Sequence, residues 1–154
     1  MANTFQNILD GVLGALQAID PPLPTVEIRK YPVLREGDRQ DVPLILVCPQ
    51  TEDNNNFSGE QDESEVNVYP VLVAIFQPSN NNVKETGTTL ELRYTIKEQL
   101  HSLWRMKTFV TFDDPDAILD EVNYKPRVNF NSQTNPQGMD VSYQLFEYRV
   151  IESE

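Results

Sequence analysis

The sequence predicts an α+β fold, a mostly antiparallel sheet with two helices packed on it. Three observations lead there. Two segments, one near the N-terminus and one around position 95, carry apolar residues at helical spacing. The stretches between and after them alternate apolar and polar residues, or run apolar over strand-like lengths. Loops rich in Asn, Asp, Gln, Pro and Gly separate the elements. The resulting order is helix, three strands, helix, then two or three strands, which suits helices laid on one sheet. With 154 residues, 39% hydrophobic and 23% charged, the chain reads as a single soluble domain spanning 1–154.

The first helix rests on Phe5, Ile8, Leu9, Val12, Leu13, Leu16 and Ile19, with Asn3 or Thr4 as N-cap and Asp20-Pro21-Pro22 as its stop. Gly11 and Gly14 lie inside it, each costing about 1 kcal/mol against Ala, so either close packing on a sheet or a helix completed by its neighbours is expected there, packing first. Val26 and Ile28 point one way and Glu27 and Arg29 the other, the pattern of a half-buried strand. Val42 to Pro49 is apolar on both faces, as a central strand requires. Val66 to Gln77 is the next strand, in which Pro70 demands an edge, a bulge or a missing ladder bond.

Thr88 to Glu91 has capping-box spacing, and Leu92, Ile96, Leu100, Leu103 and Trp104 form the apolar stripe of the second helix. Ala117 to Tyr124, Arg127 to Phe130 and Val141 to Ile151 complete the strands, the last being the strongest.

Thr51 to Glu65, TEDNNNFSGEQDESE, sets six carboxylates and no base between two apolar runs. It reads as a long exposed loop at 51–65. Loops of this length in compact domains are usually functional or disordered, so contacts outside the fold are expected from Glu52, Asp53, Phe57, Glu60, Asp62, Glu63 and Glu65.

The net charge of -12, from 24 acids and 12 bases, opposes nonspecific DNA binding, which needs clustered Lys and Arg. It suits a protein that stands beside DNA without holding it, or one that docks on a basic partner. Cys48, the only cysteine, sits in an apolar run and reads as a buried thiol, with no intramolecular disulfide possible. The N-terminus has no basic segment ahead of an apolar one, and no apolar run approaches the ~18 residues of a membrane span. The expected location is cytoplasm or a soluble particle.

Little here supports catalysis. His101, the sole histidine, falls outside the apolar stripe and reads as a solvated side chain, which rules out a multi-histidine metal site. A Cys48–His101 pair needs an electropositive setting that the apolar run does not offer. No Gly-x-Ser-x-Gly, Gly-x-Gly-x-x-Gly or Gly-x-x-x-x-Gly-Lys pattern occurs. Asp113, Asp114, Asp116, Asp120 and Glu121 could ligate a hard cation but read as solvated acids. A calcium loop starting at Asp53 fails because Phe57 and Ser58 stand where an oxygen ligand and Gly are needed. Tyr143, Phe146 and Tyr148 lack an interleaved basic patch and read as core. No enzyme activity, metal or cofactor is expected.

Four segments, Val26-Glu-Ile-Arg-Lys-Tyr-Pro-Val-Leu-Arg-Glu-Gly-Asp, Leu44-Ile-Leu-Val-Cys-Pro, Tyr69-Pro-Val-Leu-Val-Ala and Asp140-Val-Ser-Tyr-Gln-Leu-Phe-Glu-Tyr-Arg, together resemble the small neck and tail-completion proteins of tailed bacteriophages, the tail terminators foremost. The resemblance covers most of the chain in element order and contains no catalytic signature. It implies a tail-terminator-like fold, a small sheet with two helices. It also implies a virion structural protein, made in the host cytoplasm, that forms a homo-oligomeric ring, commonly a hexamer, on the tail tube protein. Such a ring stops tube growth and meets the head connector protein, while DNA passes through without specific binding. Another head–tail connector role lies within the same class. From a different class, a monomeric binding module would dock its acidic loop on a basic partner.

Overall fold

The computed structural model describes residues 3–19, 23, 25–33, 44–50, 64–78, 83–126 and 139–153. The elements are α1 (Thr4–Gln17), β1 (Val26–Ile28), β2 (Leu44–Pro49), β3 (Ser64–Pro78), α2 (Val83–Leu100), α3 (Leu103–Phe109), β4 (Ile118–Pro126) and β5 (Met139–Ser153). The fold is α+β. One five-stranded sheet has the order β1-β2-β3-β5-β4, with β1 parallel to β2 and the other pairs antiparallel.

Strand alternation divides the apolar residues between two faces. Ile45, Val47, Val71, Val73, Ile75, Phe146, Tyr148 and Val150 share one cluster with Ile8, Val12 and Leu16 of α1, Ile96 and Leu100 of α2, and Met106 of α3. Leu44, Leu46, Cys48, Leu72, Ala74, Phe76, Val141 and Leu145 form a second cluster on the opposite face. Residues 44–48 therefore need apolar side chains on both sides, as their continuous run foretold, although β2 is second from an edge. In β4 a bulge between Leu119 and Glu121 breaks the period of two, so Leu119, opposite Val150, and Val122, opposite Tyr148, both reach the helix side.

Asn3 is the N-cap of α1, its Oδ1 accepting from Gln6 N at 3.0 Å. Pro70 lies inside the sheet, opposite Glu147. Its carbonyl accepts from Gln50 N at 3.0 Å. A strand residue's nitrogen and carbonyl point to the same side, so the missing N–H faces β2 one step beyond the last pair, Pro49 with Val71. The lost ladder bond falls where β2 ends.

Several expectations are corrected. There are three helices among the described residues, because the second apolar stripe breaks. α2 ends at Leu100, whose carbonyl accepts from the buried Tyr148 hydroxyl at 3.0 Å, and Ser102 caps α3 by accepting from Arg105 N at 3.3 Å. The break turns Trp104 outward to 80% exposure. α2 begins at Val83, so the capping-box residues Thr88 to Glu91 lie inside the helix. Gly11 packs against the end of α3 and not on the sheet. Arg29, expected to face solvent, is buried just beyond β1, where it bonds Glu27 Oε2 through Nη2 at 2.7 Å. β3 begins at Ser64, so Glu65 belongs to a strand instead of the loop. The strand expected at Arg127 to Phe130 lies outside the described residues.

Candidate interaction surfaces

Of the residues assigned to an interface, Glu52, Asp53, Phe57, Glu60, Asp62 and Glu63 lie outside the described residues. What the structure supplies is the root of their segment. On one side, β2 ends at Pro49 and Gln50 is tied to Pro70. On the other, β3 enters at Ser64, and Glu65 stands opposite Glu152 of β5. The Glu152 carboxylate accepts from Asn67 Nδ2 at 2.7 Å and from the hydroxyls of Thr4 and Tyr69. Phe5 meets Tyr69 edge-on, with ring centroids 5.2 Å apart. Ser64, on the C-terminal side of the acidic segment, thus lies at one end of the sheet, where α1, β3 and β5 are held to one carboxylate. Gln50, on its N-terminal side, lies beside Pro70 midway along β3.

At the other end of α1 the exposed charges are of both signs, Lys97 and Arg105 with Glu91 and Glu98. α3 runs back along α1, from Arg105 beside Ala18 and Ile19 to Asp113, whose N–H donates to Asn7 Oδ1 at 2.9 Å. On α2 the outward positions Leu90, Tyr94 and Lys97 recur at helical spacing, with His101 one turn further on. Tyr94 is 66% exposed and Leu90 48%. Lys97 Nζ lies 5.0 Å from the centroid of the Tyr124 ring, and the His101 ring is 5.8 Å from it. Beside this stripe an open groove of about 370 Å³ is lined by Ala18, Ile19, Tyr94, Thr95, Glu98, Gln99 and Arg105. Arg105 Nη1 donates to Glu98 O and Gln99 Oε1, each at 3.3 Å, which fixes α3 against α2.

The sequence carried a signal for this surface that the apolar stripe hid. Of 12 bases, Arg93, Lys97, Arg105 and Lys107 fall between 93 and 107, with Glu98 the one acid. Arg93 is turned inward. Its Nη1 donates to Ser142 Oγ at 2.5 Å and Tyr143 O at 2.9 Å, at the stretch of β5 beyond Pro126, where β4 stops. Burial lowers its pKa.

The residues weighed for chemistry are dispersed. Cys48 is buried in the cluster facing away from the helices, whereas His101 is exposed between α2 and α3, so the sheet separates them. Burial raises the Cys48 thiol to about 11, against a smaller lowering by Arg29. Asp120 and Glu121 face Arg149 at 3.5 and 3.6 Å. Asp114 Oδ1 accepts from Asp116 N at 3.0 Å. Among the described residues no three His, Cys, Asp or Glu side chains come together as metal ligands, and no helix is long and apolar enough to cross a membrane. Phe146 and Tyr148 are fully buried core residues.

No protein-family model matches the chain, and no curated protein matches it.

Proposed function

We propose that this chain is a non-enzymatic tail terminator of a tailed bacteriophage, a ring-forming virion protein that caps the tail tube and offers its outer face to the head connector. The observation that carries this reading is the placement of the four segments that bear the resemblance. They contribute β1, β2, β3 and β5, which are consecutive neighbours in one sheet. The likeness therefore covers a contiguous structural unit and not scattered strands.

The root of the acidic segment supports an assembly role. A segment with no base and five acids between 51 and 63 gains little from packing on its own fold, and its ordering is offset on contact with a neighbour. A ring of subunits each carrying -12 also repels DNA phosphates, so a genome passes without adhering.

The test is to add the purified protein to tail tubes and view them by negative stain. Capped ends, with annular particles about as wide as the tube, are expected. Tubes that continue to grow uncapped, with a protein that binds a basic partner as a monomer, would replace this reading with that of a docking module.

A further inference from the structure

Arg29 and Arg93 are the buried cations among the described residues, and they differ in what faces their charge. Arg29 has the Glu27 carboxylate at 2.7 Å. Arg93, only 7% exposed, meets no carboxylate among the described residues. Its Nη1 spends both protons inward, on Ser142 Oγ and Tyr143 O, so the parallel N–H pair of Nε and Nη2 is left without an acceptor among the described residues. Neither nitrogen is among the enclosed polar atoms that lack a partner, so both keep a path to the surface. A buried cation without a counter-charge is costly, and an anion that reaches it stabilises the fold.

Gln144 sets a further donor beside it. Fully buried, Gln144 donates through Nε2 to Arg93 O at 2.9 Å and to the Tyr124 hydroxyl at 3.0 Å, which engages that oxygen as an acceptor and leaves its own proton to give. Tyr124 is close enough to Arg93 for an ionised phenol to raise the guanidinium's pKa. The acids of this region face elsewhere. At about 100° per residue, Glu91 and Glu98 stand roughly 160° and 140° around α2 from Arg93. Glu147 is on the other face of β5 from Gln144 and pairs with Lys125 at 3.0 Å.

We propose that Arg93 and the Tyr124 hydroxyl form a binding site for one carboxylate, brought by a molecule other than this subunit. The arrangement of the donors names the class. The parallel N–H pair of Arg93 matches the two oxygens of a planar carboxylate, and Tyr124 supplies a third bond to one of them. A phosphate would bring up to two charges, which a chain of net charge -12 repels more strongly than one, and would leave oxygens without donors. Ser142 and the Tyr143 carbonyl act as positioning groups, holding the guanidinium so that its free edge faces outward. Two sources share this chemistry, a small carboxylic acid and an acidic side chain of another protein. The site stands on Arg93 and its neighbours and does not depend on the terminator reading.

The test follows the Nε–H resonance of Arg93 by NMR in the full-length chain, assigned through its own side-chain carbons so that no variant has to fold for the reading. Glutarate, the peptide acetyl-Gly-Glu-Gly-amide and inorganic phosphate are titrated in turn at constant ionic strength. A saturable shift of Arg93 with a carboxylate is expected, while the exposed Arg105 stays where it was. Saturation by glutarate supports the site with a small acid as its ligand, and saturation by the peptide alone supports it with a protein side chain. Tyr124→Phe keeps the ring under Lys97 and should weaken binding roughly tenfold, the effect of losing one hydrogen bond to a charged group. No saturable shift with either carboxylate, an equal shift at Arg105, tighter binding of phosphate than of carboxylate, or affinity unchanged in Tyr124→Phe overturns the proposal. Tube capping is read separately, so either result can fail without the other.

Discussion

A Cβ built on Gly11 falls 2.5 Å from Val110 Cγ2 and 3.0 Å from Val110 Cα. Helix α1 therefore approaches the end of α3 as closely as a hydrogen side chain permits, and the clash involves backbone that cannot rotate away. Gly11→Ala should destabilise the fold by about 1–3 kcal/mol, the cost of overpacking. At Gly14 the nearest atom, Phe109 Cδ1, is 4.0 Å away. Gly14→Ala should instead gain about 0.5–1 kcal/mol of helix stability. Urea melts of both variants check the contrast, and two shifts of the same sign would refute it.

Tyr148 holds the end of α2. Its hydroxyl, buried with the ring, donates to Leu100 O, one of the terminal carbonyls that no helix amide satisfies. Tyr148→Phe keeps the ring and leaves that carbonyl buried without its donor, so a loss of about 1–3 kcal/mol is expected. Exchange of the His101 amide, which donates to Lys97 O, should speed up with it. Unchanged stability and exchange would show that the helix ends there for another reason.

These two sites mark the boundary of what the sequence discloses. Periodicity located α1, β2, β3 and β5, because one-sided or two-sided burial writes a period of 3.6 or 2.0 into the residues. It failed at Trp104. Leu92, Ile96, Leu100 and Leu103 continue in helical phase to Trp104, and nothing local says that a tyrosine 48 positions beyond Leu100 will take the Leu100 carbonyl and that Ser102 will restart the helix. Arg29 was misread for the same reason, since its burial depends on contacts made after β1 has ended. The exposed row Leu90, Tyr94, Lys97 and His101 was marked only by the clustering of bases between 93 and 107, a signal weaker than the apolar stripe that overlaps it.

Alkaline pH should destabilise the chain with a slope that changes twice. The Cys48 thiol is raised from an ordinary 9.0 to about 11 by burial, and burial raises the Tyr148 hydroxyl well above 10. In both, the unfolded chain loses its proton first. The stability held by each protonated form is complete below the unfolded value and declines as pH rises toward the folded one. Loss should begin near pH 9 through Cys48 and steepen above pH 10 as Tyr148 joins. Cys48→Ala should flatten the stability profile between pH 9 and 11, whatever its constant cost. The native thiol should also resist a thiol reagent at pH 8 and react at once in denaturant. Fast labelling of the folded chain would contradict its placement.

The acidic segment should be replaceable, but only by a connector long enough to cross the sheet. Gln50 and Ser64 are held by separate contacts, the first by the Pro70 carbonyl and the second by β3 pairing with β5 through Ser153. Six strand positions separate Ser64 from Pro70, so any linker must span about 20 Å, which takes at least about six extended residues. Substituting 51–63 with about eight Gly and Ser residues should leave the melting temperature within a few degrees of the parent, because shortening a connecting segment by a few residues changes closure entropy by less than about 1 kcal/mol. Substituting it with two residues should tear β3 from its register, and Glu152 with it from Asn67 and Tyr69. The long replacement should fold and fail to cap tubes, and the short one should fail to fold. Equal stability in both would mean that β3 does not begin at Ser64, and full capping by the long replacement would remove the segment from the assembly surface.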